Sequence, residues 1–202
     1  MKRYLIIAFC LTGMAISASA QWEFSAQATI DLPVDEMKWV FKPGTGMILT
    51  LSKTKKYKKR GSASGVSIGY SRQVPKQDIF YYLVNDELAW IKYDKMTAYQ
   101  LAYQFREDFI IKKKIELFVG GELGLYYTKY GYESHEPGHD INSSSFVGRL
   151  VAAPKAGINY QFTKSTGLFF QTKYAISIGK SDDSKDVINL HWINSVGANF
   201  RF

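Results

Sequence analysis

Cysteine is almost absent from this sequence, which has one among its 202 residues. That residue, Cys10, lies in an apolar N-terminal segment that we expect to be removed, so the mature chain has no thiol for a disulfide or a thiol-based site. A lipid anchor on Cys10 is the alternative. Lipoprotein signals have small residues just before the cysteine, whereas Phe9 precedes Cys10 here and apolar sequence continues after it. We therefore expect neither disulfide bonds nor lipidation.

Long apolar runs are also missing once the N-terminal segment is set aside. The longest continuous run is Ile79–Val84, whereas a membrane-spanning helix needs ~20 apolar residues. A bilayer offers the backbone no hydrogen-bond partners, so only helices and closed barrels span it. If this chain enters a membrane, it enters as β-strands.

Nucleic-acid motifs are missing although the chain is basic. The formal net charge is +8, and it falls to +6 when Lys2 and Arg3 are removed with the N-terminal segment. An exported protein does not meet nucleic acid in its compartment. We expect no nucleic-acid partner and no cofactor.

The first twenty residues have the pattern of a secretory signal. Lys2 and Arg3 provide the positive start, Leu5–Ile16 an apolar core, and Ala18–Ala20 a small-residue cleavage site. Cleavage near Ala20 would leave one domain, residues 21–202.

From Trp22 onward, apolar and polar residues alternate with a period of two, as in half-buried β-strands. The C-terminal segment is the clearest case and is interrupted only at Ile193 and Asn194. Its apolar positions are Ile188, Leu190, Trp192, Val196, Ala198, Phe200 and Phe202, and its polar positions are Asn189, His191, Ser195, Gly197, Asn199 and Arg201.

Eight such segments follow one another between polar clusters. They cover residues 22–32, 46–53, 64–72, 97–106, 115–127, 146–162, 168–179 and 188–202. Most approach the ~9–11 residues of a tilted membrane-spanning strand, and no helix longer than a loop turn is expected. The sequence predicts an all-β fold, an eight-stranded antiparallel up-and-down β-barrel.

The residue types on the polar face of these segments distinguish a membrane barrel from a soluble one. A soluble barrel has an apolar interior and long charged side chains outside, whereas small residues such as Gly65, Ser67, Gly69 and Ser71 suit a crowded polar lumen. Aromatic residues near the strand ends are typical of interfacial girdles, although aromatics favour strands in general. They are Tyr70, Tyr99, Phe105, Tyr127, Phe146, Tyr160, Phe162 and Trp192. We predict a transmembrane barrel with a polar, side-chain-filled lumen.

The links between the segments tend to alternate in length. Outer-membrane barrels have short periplasmic turns and longer outer loops, and an even strand number returns both termini to the periplasm. The links 33–45, 73–96, 129–145 and 180–187 are therefore expected to face outward.

With these features the chain resembles the small bacterial outer-membrane β-barrel families, the OmpA/OmpX-like and PorT-like group. The resemblance rests on the signal, the eight alternating segments and the last segment, Val196–Phe202, which ends in phenylalanine. It implies an outer-membrane location in a lipid bilayer. It also implies that Phe200 and Phe202 belong to the signal read by the barrel-assembly machinery. The resemblance includes no diagnostic catalytic motif.

Charged residues on the polar faces predict ion pairs in the lumen. A lipid-facing lysine or arginine costs about 2–4 kcal/mol, so the register should keep these side chains inside. We expect ion pairing among Glu116, Glu122, Arg149, Lys155, Lys173 and Arg201. Because eight strands enclose a lumen that side chains can fill, open conduction is not expected. Pro154 interrupts a strand and lacks a donor, which predicts a bulge there.

Three polar or apolar clusters in the links are candidates for binding. His135 and His139 lie among carboxylates and are weak candidates for a metal site, because the intervening Pro137-Gly138 prevents the helix that would align them. The basic run Lys53–Arg60 has the charge to bind anionic lipid headgroups or a periplasmic partner, or is a solvated hairpin tip. The apolar segment Asp78–Tyr93 suggests a hairpin that turns at Asn85-Asp86 or contacts a ligand or partner.

No set of nucleophile, base and orienting residue is evident. His191 is near the predicted outer rim, but Ile193 occupies the position of a paired serine, and Ser195 lies farther along the strand. We therefore predict a non-enzymatic, monomeric outer-membrane barrel with a structural or interaction role through its outer loops and with an unidentified protein partner. The alternatives are an accessory of outer-membrane transport or protein secretion and a soluble periplasmic ligand-binding barrel.

Overall fold

The computed structural model describes residues 21–34, 36–56, 60–180 and 186–202. The expected signal peptide, residues 1–20, lies outside the described residues. So do positions 57–59 of the basic run and positions 181–185 of the last predicted outer link.

The described residues form ten β-strands and one short helix. In chain order these are β1 (Gln21–Pro33), α1 (Met37–Val40), β2 (Gly44–Lys56), β3 (Arg60–Gln73), β4 (Phe80–Val84), β5 (Glu87–Tyr93), β6 (Met96–Lys112), β7 (Ile115–Glu136), β8 (His139–Gln161), β9 (Thr166–Lys180) and β10 (Asp186–Arg201). No helix in this part of the chain has the length and apolarity needed to cross a membrane.

Eight of the strands close into a ring in which every pair is antiparallel. The ring runs β1, β2, β3, β6, β7, β8, β9, β10 and returns to β1. At the closing seam, Glu23 pairs with Arg201 and Pro33 with His191, and the backbones of Trp22 and Phe202 exchange hydrogen bonds of 2.9 Å in both directions. The predicted eight-stranded antiparallel barrel is confirmed.

Two hairpins extend beyond the ring at the end opposite the termini. Residues 130–136 of β7 pair with 139–145 of β8, and β5 pairs with β7 from Trp90↔His135 to Tyr93↔Tyr132. With β4 at the edge, these segments form a four-stranded extension that we call the projecting sheet. The link 129–145 was expected to be an outer loop, and its loop conformation is wrong although it lies at the end opposite the termini. It is strand on both sides of a tight turn at Pro137-Gly138, where Gly138 has φ +82°.

The hairpin predicted in the apolar segment Asp78–Tyr93 is confirmed. Asn85 and Asp86 have φ values of 51° and 67°, which are the positive values that a two-residue type I′ hairpin turn requires. The strands flanking this turn are β4 and β5.

Apolar and polar residues that alternate in the sequence lie on opposite faces of each strand, one facing the outer wall of the barrel and the other its lumen. In β1 the polar side chains of Glu23, Gln27 and Asp31 are buried in the lumen, whereas Phe24 and Ile30 are 43% and 51% exposed on the outer wall. The same division runs around the ring. The outer wall is apolar and the interior is mostly polar, the reverse of a soluble barrel. Phe118, Val151 and Ile193 are buried apolar exceptions in the interior.

Pro154 causes no bulge, so that prediction is wrong. The β7–β8 register is continuous through the pair Gly121↔Pro154. The β8–β9 ladder keeps one register from Ala152↔Ile176 to Lys155↔Lys173 and omits only the two pairs between them. The proline ring is exposed on the outer wall. Its missing donor is therefore accommodated by a local gap in one ladder instead of an extra residue.

The segment between β1 and β2 packs against the projecting sheet. Phe41, which follows α1, is 1% exposed and bridges to Pro75. Its ring lies 6.0 Å from that of Tyr93, which in turn lies 5.8 Å from Phe80. Tyr93 pairs with Tyr132, which belongs to the lumen-facing series of β7. These aromatic residues form a small core at the mouth of the barrel opposite the termini.

Candidate functional site: the polar lumen and the projecting sheet

The centre of the lumen holds one carboxylate between two lysines. Glu122 lies 3.1 Å from Nζ of Lys155 and 2.7 Å from Nζ of Lys173. Gln100 donates to Glu122 at 2.7 Å and accepts from Lys173 at 3.1 Å, and Gln104 accepts from Lys155. All five side chains are buried. Because one carboxylate faces two ammonium groups, the amide oxygens provide the remaining stabilisation of buried positive charge.

The end of the lumen that is nearest the termini contains a second ion-pair cluster. Glu23 accepts from Arg106 at 2.8 Å and from Arg201 at 2.7 Å. Arg201 also donates to Glu116 at 2.9 Å, and Arg106 donates to Asp108 at 2.9 Å. The cluster joins β1, β6, β7 and β10 across the barrel, so these strands are held together by charge as well as by the backbone ladder.

At the end of the lumen opposite the termini, a buried histidine contacts a buried aspartate. Nδ1 of His191 lies 2.8 Å from Oδ1 of Asp31. The hydroxyls of Tyr126 and Ser71 donate to Oδ2 of Asp31 at 3.2 and 3.3 Å. A cavity of about 10 Å³ beside Asp31 is large enough for a single water molecule. In all three clusters the partners lie on different strands, except that Arg106 and Asp108 both belong to β6.

The six residues of the predicted lumen network lie in separate groups along the lumen. Glu122, Lys155 and Lys173 meet at the centre, and Glu116 and Arg201 meet near the termini. Arg149 donates to Thr128 at 2.9 Å.

Sequence reasoning missed five further charged or ionisable members of the clusters. They are Glu23, Asp31, Arg106, Asp108 and His191. Each lies on the polar side of an alternating segment or of its continuation, so the period of two was the signal that could have found them.

The outer face of the projecting sheet carries exposed apolar side chains. Register places Tyr81 opposite Trp90 and Leu83 opposite Leu88 on one face. Tyr81, Leu83 and Leu88 are 64%, 68% and 62% exposed. Trp90 stacks on His135 with the ring centroids 6.0 Å apart. This face continues the lipid-facing side of β7, beyond the barrel proper.

The two histidines of the weak metal candidate lie on opposite faces of their hairpin. His135 pairs with Asp140 and contacts its carboxylate, whereas His139 pairs with Glu136. Neighbouring pairs along a ladder point to alternate faces, so the two imidazoles diverge. Among the described residues, no group of three or more His, Cys, Asp and Glu side chains is placed to hold a metal ion.

No protein-family model matches this chain, and no curated protein matches it in sequence. Solved structures match it in fold. Neisserial surface protein A aligns over 90% of this chain and 97% of its own, with a TM-score of 0.54 and 14% identity. The outer membrane protease OmpT of Escherichia coli aligns over 93% and 98%, with a TM-score of 0.52 and 8% identity. The chain has the fold of the outer-membrane β-barrels.

A third solved structure of this outer-membrane barrel fold is the attachment invasion locus protein of Yersinia pestis. It was solved in complex with the heparin analogue sucrose octasulfate and aligns over 91% of this chain and 99% of its own, with a TM-score of 0.50 and 16% identity. At these identities the comparisons support the architecture and leave the binding properties of this chain open.

Aromatic side chains form two rings on the outer wall of the barrel. Near the projecting sheet, Tyr70 packs on Tyr99 with centroids 5.6 Å apart, and Tyr127 stacks on Phe146 at 5.7 Å. At the end near the termini, the pairs are Tyr160 with Phe162 at 5.2 Å and Phe200 with Phe202 at 6.0 Å. Exposed aliphatic residues lie between the rings. An apolar belt bounded by two aromatic rings is the outer surface of a bilayer-spanning barrel.

Proposed function

We propose that the protein is a monomeric integral barrel of the outer membrane that binds a partner protein outside the cell through its projecting sheet, without catalysing a reaction. The observation that carries this proposal is the apolar outer face of that sheet. From Tyr127 in the outer aromatic ring to His135 beside Trp90, β7 advances roughly 25 Å along its length. Tyr81, Leu83 and Leu88 are therefore exposed well beyond the belt, where apolar surface is typical of an interaction site.

The edge of the projecting sheet supports the same interpretation. Within the described residues, β4 pairs with β5 alone, so its other side has unpaired backbone donors and acceptors. Exposed edges of this kind accept additional strands. The apolar face and the open edge lie on the same hairpin, and together they provide contact area and directional hydrogen bonds for a protein partner.

Site-specific photo-crosslinking on intact cells tests the partner. A photoreactive residue at position 83 points outward, whereas one at position 82 replaces an inward side chain, since Tyr82 donates to Glu136 at 3.0 Å. We expect a discrete crosslinked product from position 83 and none from the matched control at 82. Equal products from both positions, or none from position 83, would contradict a partner on the outer face.

Cysteine labelling tests the location and orientation. The chain has one cysteine, Cys10 in the expected signal, which makes introduced thiols easy to follow. We expect a membrane-impermeant maleimide to label Asp86→Cys on intact cells and Lys113→Cys only after permeabilisation. The reverse pattern would overturn the orientation, and labelling in a soluble periplasmic fraction would overturn the membrane location.

The absence of catalysis needs its own test, because one solved barrel of this fold is described as a protease. In this chain the paired His191 and Asp31 are 2% and 1% exposed, which denies a substrate access to them. We expect the purified protein to leave a mixed peptide library uncleaved and the lipid A acyl pattern of expressing cells unchanged. Activity that disappears in His191→Asn would overturn this part of the proposal.

A further inference from the structure

A small group of cationic and hydroxyl side chains lies on the outer wall of the barrel at the end near the termini. Lys53 and Lys55 on β2 pair with Ser64 and Ser62 on β3. The alternate residues of the same strands, including Ser52, Thr54 and Ala63, are buried in the lumen. The two lysines and two serines therefore share the outer wall, and we call them the lysine–serine patch.

The lysine–serine patch surrounds a cavity that opens to the outside. The cavity has a volume of about 370 Å³ and is also lined by Phe105, Arg106 and Glu107 of β6. Glu107 is the acidic member of this lining, and Arg106 faces the lumen, where it pairs with Glu23. Two residues before Ser62 on β3, the guanidinium of Arg60 lies over the ring of Phe109 at 5.9 Å. The cationic side chains of Lys53, Lys55 and Arg60 thus outnumber the acidic side chain of Glu107 around this cavity.

The patch lies at the boundary of the apolar belt. Along β2 the outward residues change from Leu51 to Lys53 within two positions, about 7 Å. Along β3 the outward residues change from Val66 to Ser64 over the same distance. Leu51 and Val66 are 40% and 50% exposed on the belt. A boundary between hydrocarbon-facing and cationic residues is where lipid headgroups lie.

We propose that the lysine–serine patch binds the phosphate of an anionic phospholipid in the membrane leaflet on the side of the termini. The ammonium groups of Lys53 and Lys55 supply charge, and the hydroxyls of Ser62 and Ser64 supply short hydrogen-bond donors to phosphate oxygens. The acyl chains of the same lipid lie along Leu51, Val66 and Phe105. This continuity with the belt selects a lipid over free phosphate. The inference rests on the membrane location proposed above.

A matched pair of charge variants tests the site. Lys53→Gln with Lys55→Gln removes two charges from the patch. Lys113→Gln with Lys114→Gln removes two charges from the same end of the barrel, but these lysines line a different cavity, with Gln21 and Glu116. Each protein is placed in nanodiscs of phosphatidylcholine and phosphatidylglycerol, and the lipids that remain bound are identified by native mass spectrometry.

We expect the unaltered protein and the Lys113/Lys114 variant to retain phosphatidylglycerol in preference to phosphatidylcholine. The preference should fall by roughly fivefold for each patch lysine removed. Ser62→Ala with Ser64→Ala keeps the charge and should weaken retention less, which provides a second test if the lysine variant folds poorly. Equal retention by both lysine variants would overturn the proposal. Displacement of the lipid by millimolar inorganic phosphate would assign the site to free phosphate and would also overturn it.

Heat-modifiable mobility on gels separates this test from that of the membrane location. A folded variant that enters nanodiscs and loses lipid preference bears on the patch alone. Failure of the unaltered protein to enter nanodiscs would instead contradict the proposed membrane location.

Discussion

Lys173 and Glu122 meet in the middle of the lumen, with Nζ 2.7 Å from Oε2, although 51 positions separate them in the chain. Lys155 approaches the other oxygen of the same carboxylate at 3.1 Å. The charge balance at the centre of the barrel therefore depends on a single acidic side chain.

Replacing that acid should destabilise the barrel strongly. Glu122→Gln leaves two buried ammonium groups without a counter-charge, and breaking a buried pair in this way costs about 3–5 kcal/mol. Denaturant unfolding in vesicles, followed by tryptophan fluorescence, measures the loss. Glu87→Gln on the exposed surface of β5 is the control and should change the free energy of unfolding by less than about 0.5 kcal/mol. A similar small effect for both variants would show that the lumen is hydrated enough to solvate the lysines.

A lysine on the outer wall should reveal where the bilayer lies. Leu123 is 57% exposed on the belt and Leu83 is 68% exposed on the projecting sheet. In a bilayer, Leu123→Lys should cost about 2–4 kcal/mol, whereas Leu83→Lys should cost less than about 1 kcal/mol. Unfolding free energies in phospholipid vesicles distinguish the two, and equal costs would contradict the assignment of the belt.

The terminal aromatic residues should matter for assembly more than for the finished barrel. Phe200 and Phe202 are 50% and 51% exposed and lie in the aromatic ring near the termini. We expect Phe202→Ala to lower the assembled, heat-modifiable fraction in cells severalfold, because the assembly machinery is proposed to read this residue. Phe170→Ala, at an equally exposed position within β9, is the control for lost lipid contact. Identical losses in the two variants would argue against a terminal signal.

The turn of the β4–β5 hairpin should tolerate glycine and resist branched residues. Asp86 has φ 67°, and glycine adopts positive φ without steric cost. Asp86→Gly should stabilise the hairpin by about 0.5–1 kcal/mol, and Asp86→Val should destabilise it by more. Hydrogen exchange of the β4 and β5 amides measures both changes. Faster exchange in the glycine variant would contradict the type I′ turn.

The division of each strand into two faces was readable from the sequence because a strand alternates its side chains whatever it pairs with. Glu23 and Asp31 were expected opposite Phe24 and Ile30, and they line the lumen while the apolar pair faces outward. The hairpin turn at Asn85-Asp86 was readable for a similarly local reason, since few residue pairs adopt two successive positive φ values.

The length of β7 and β8 was not readable in the same way. Residues 130–145 are mostly polar and have no clear alternation of apolar residues, so they resemble a loop in sequence. They form strand because pairing across the hairpin satisfies their backbone. The bulge predicted at Pro154 was wrong for a related reason. The cost of its missing donor depends on which neighbouring strand its nitrogen faces, and the sequence does not specify that.

By itself, the sequence determined the number of spanning strands and the side of each that faces lipid, because both follow from local alternation and the absence of longer apolar runs. Only the tertiary structure decided which charges meet. Glu23 and Arg201 lie 178 positions apart and become partners at the closing seam, with the Arg201 guanidinium 2.7 Å from the carboxylate. Such pairs depend on how far each strand is shifted against the next around the ring, and that shift is set by closure of the whole barrel.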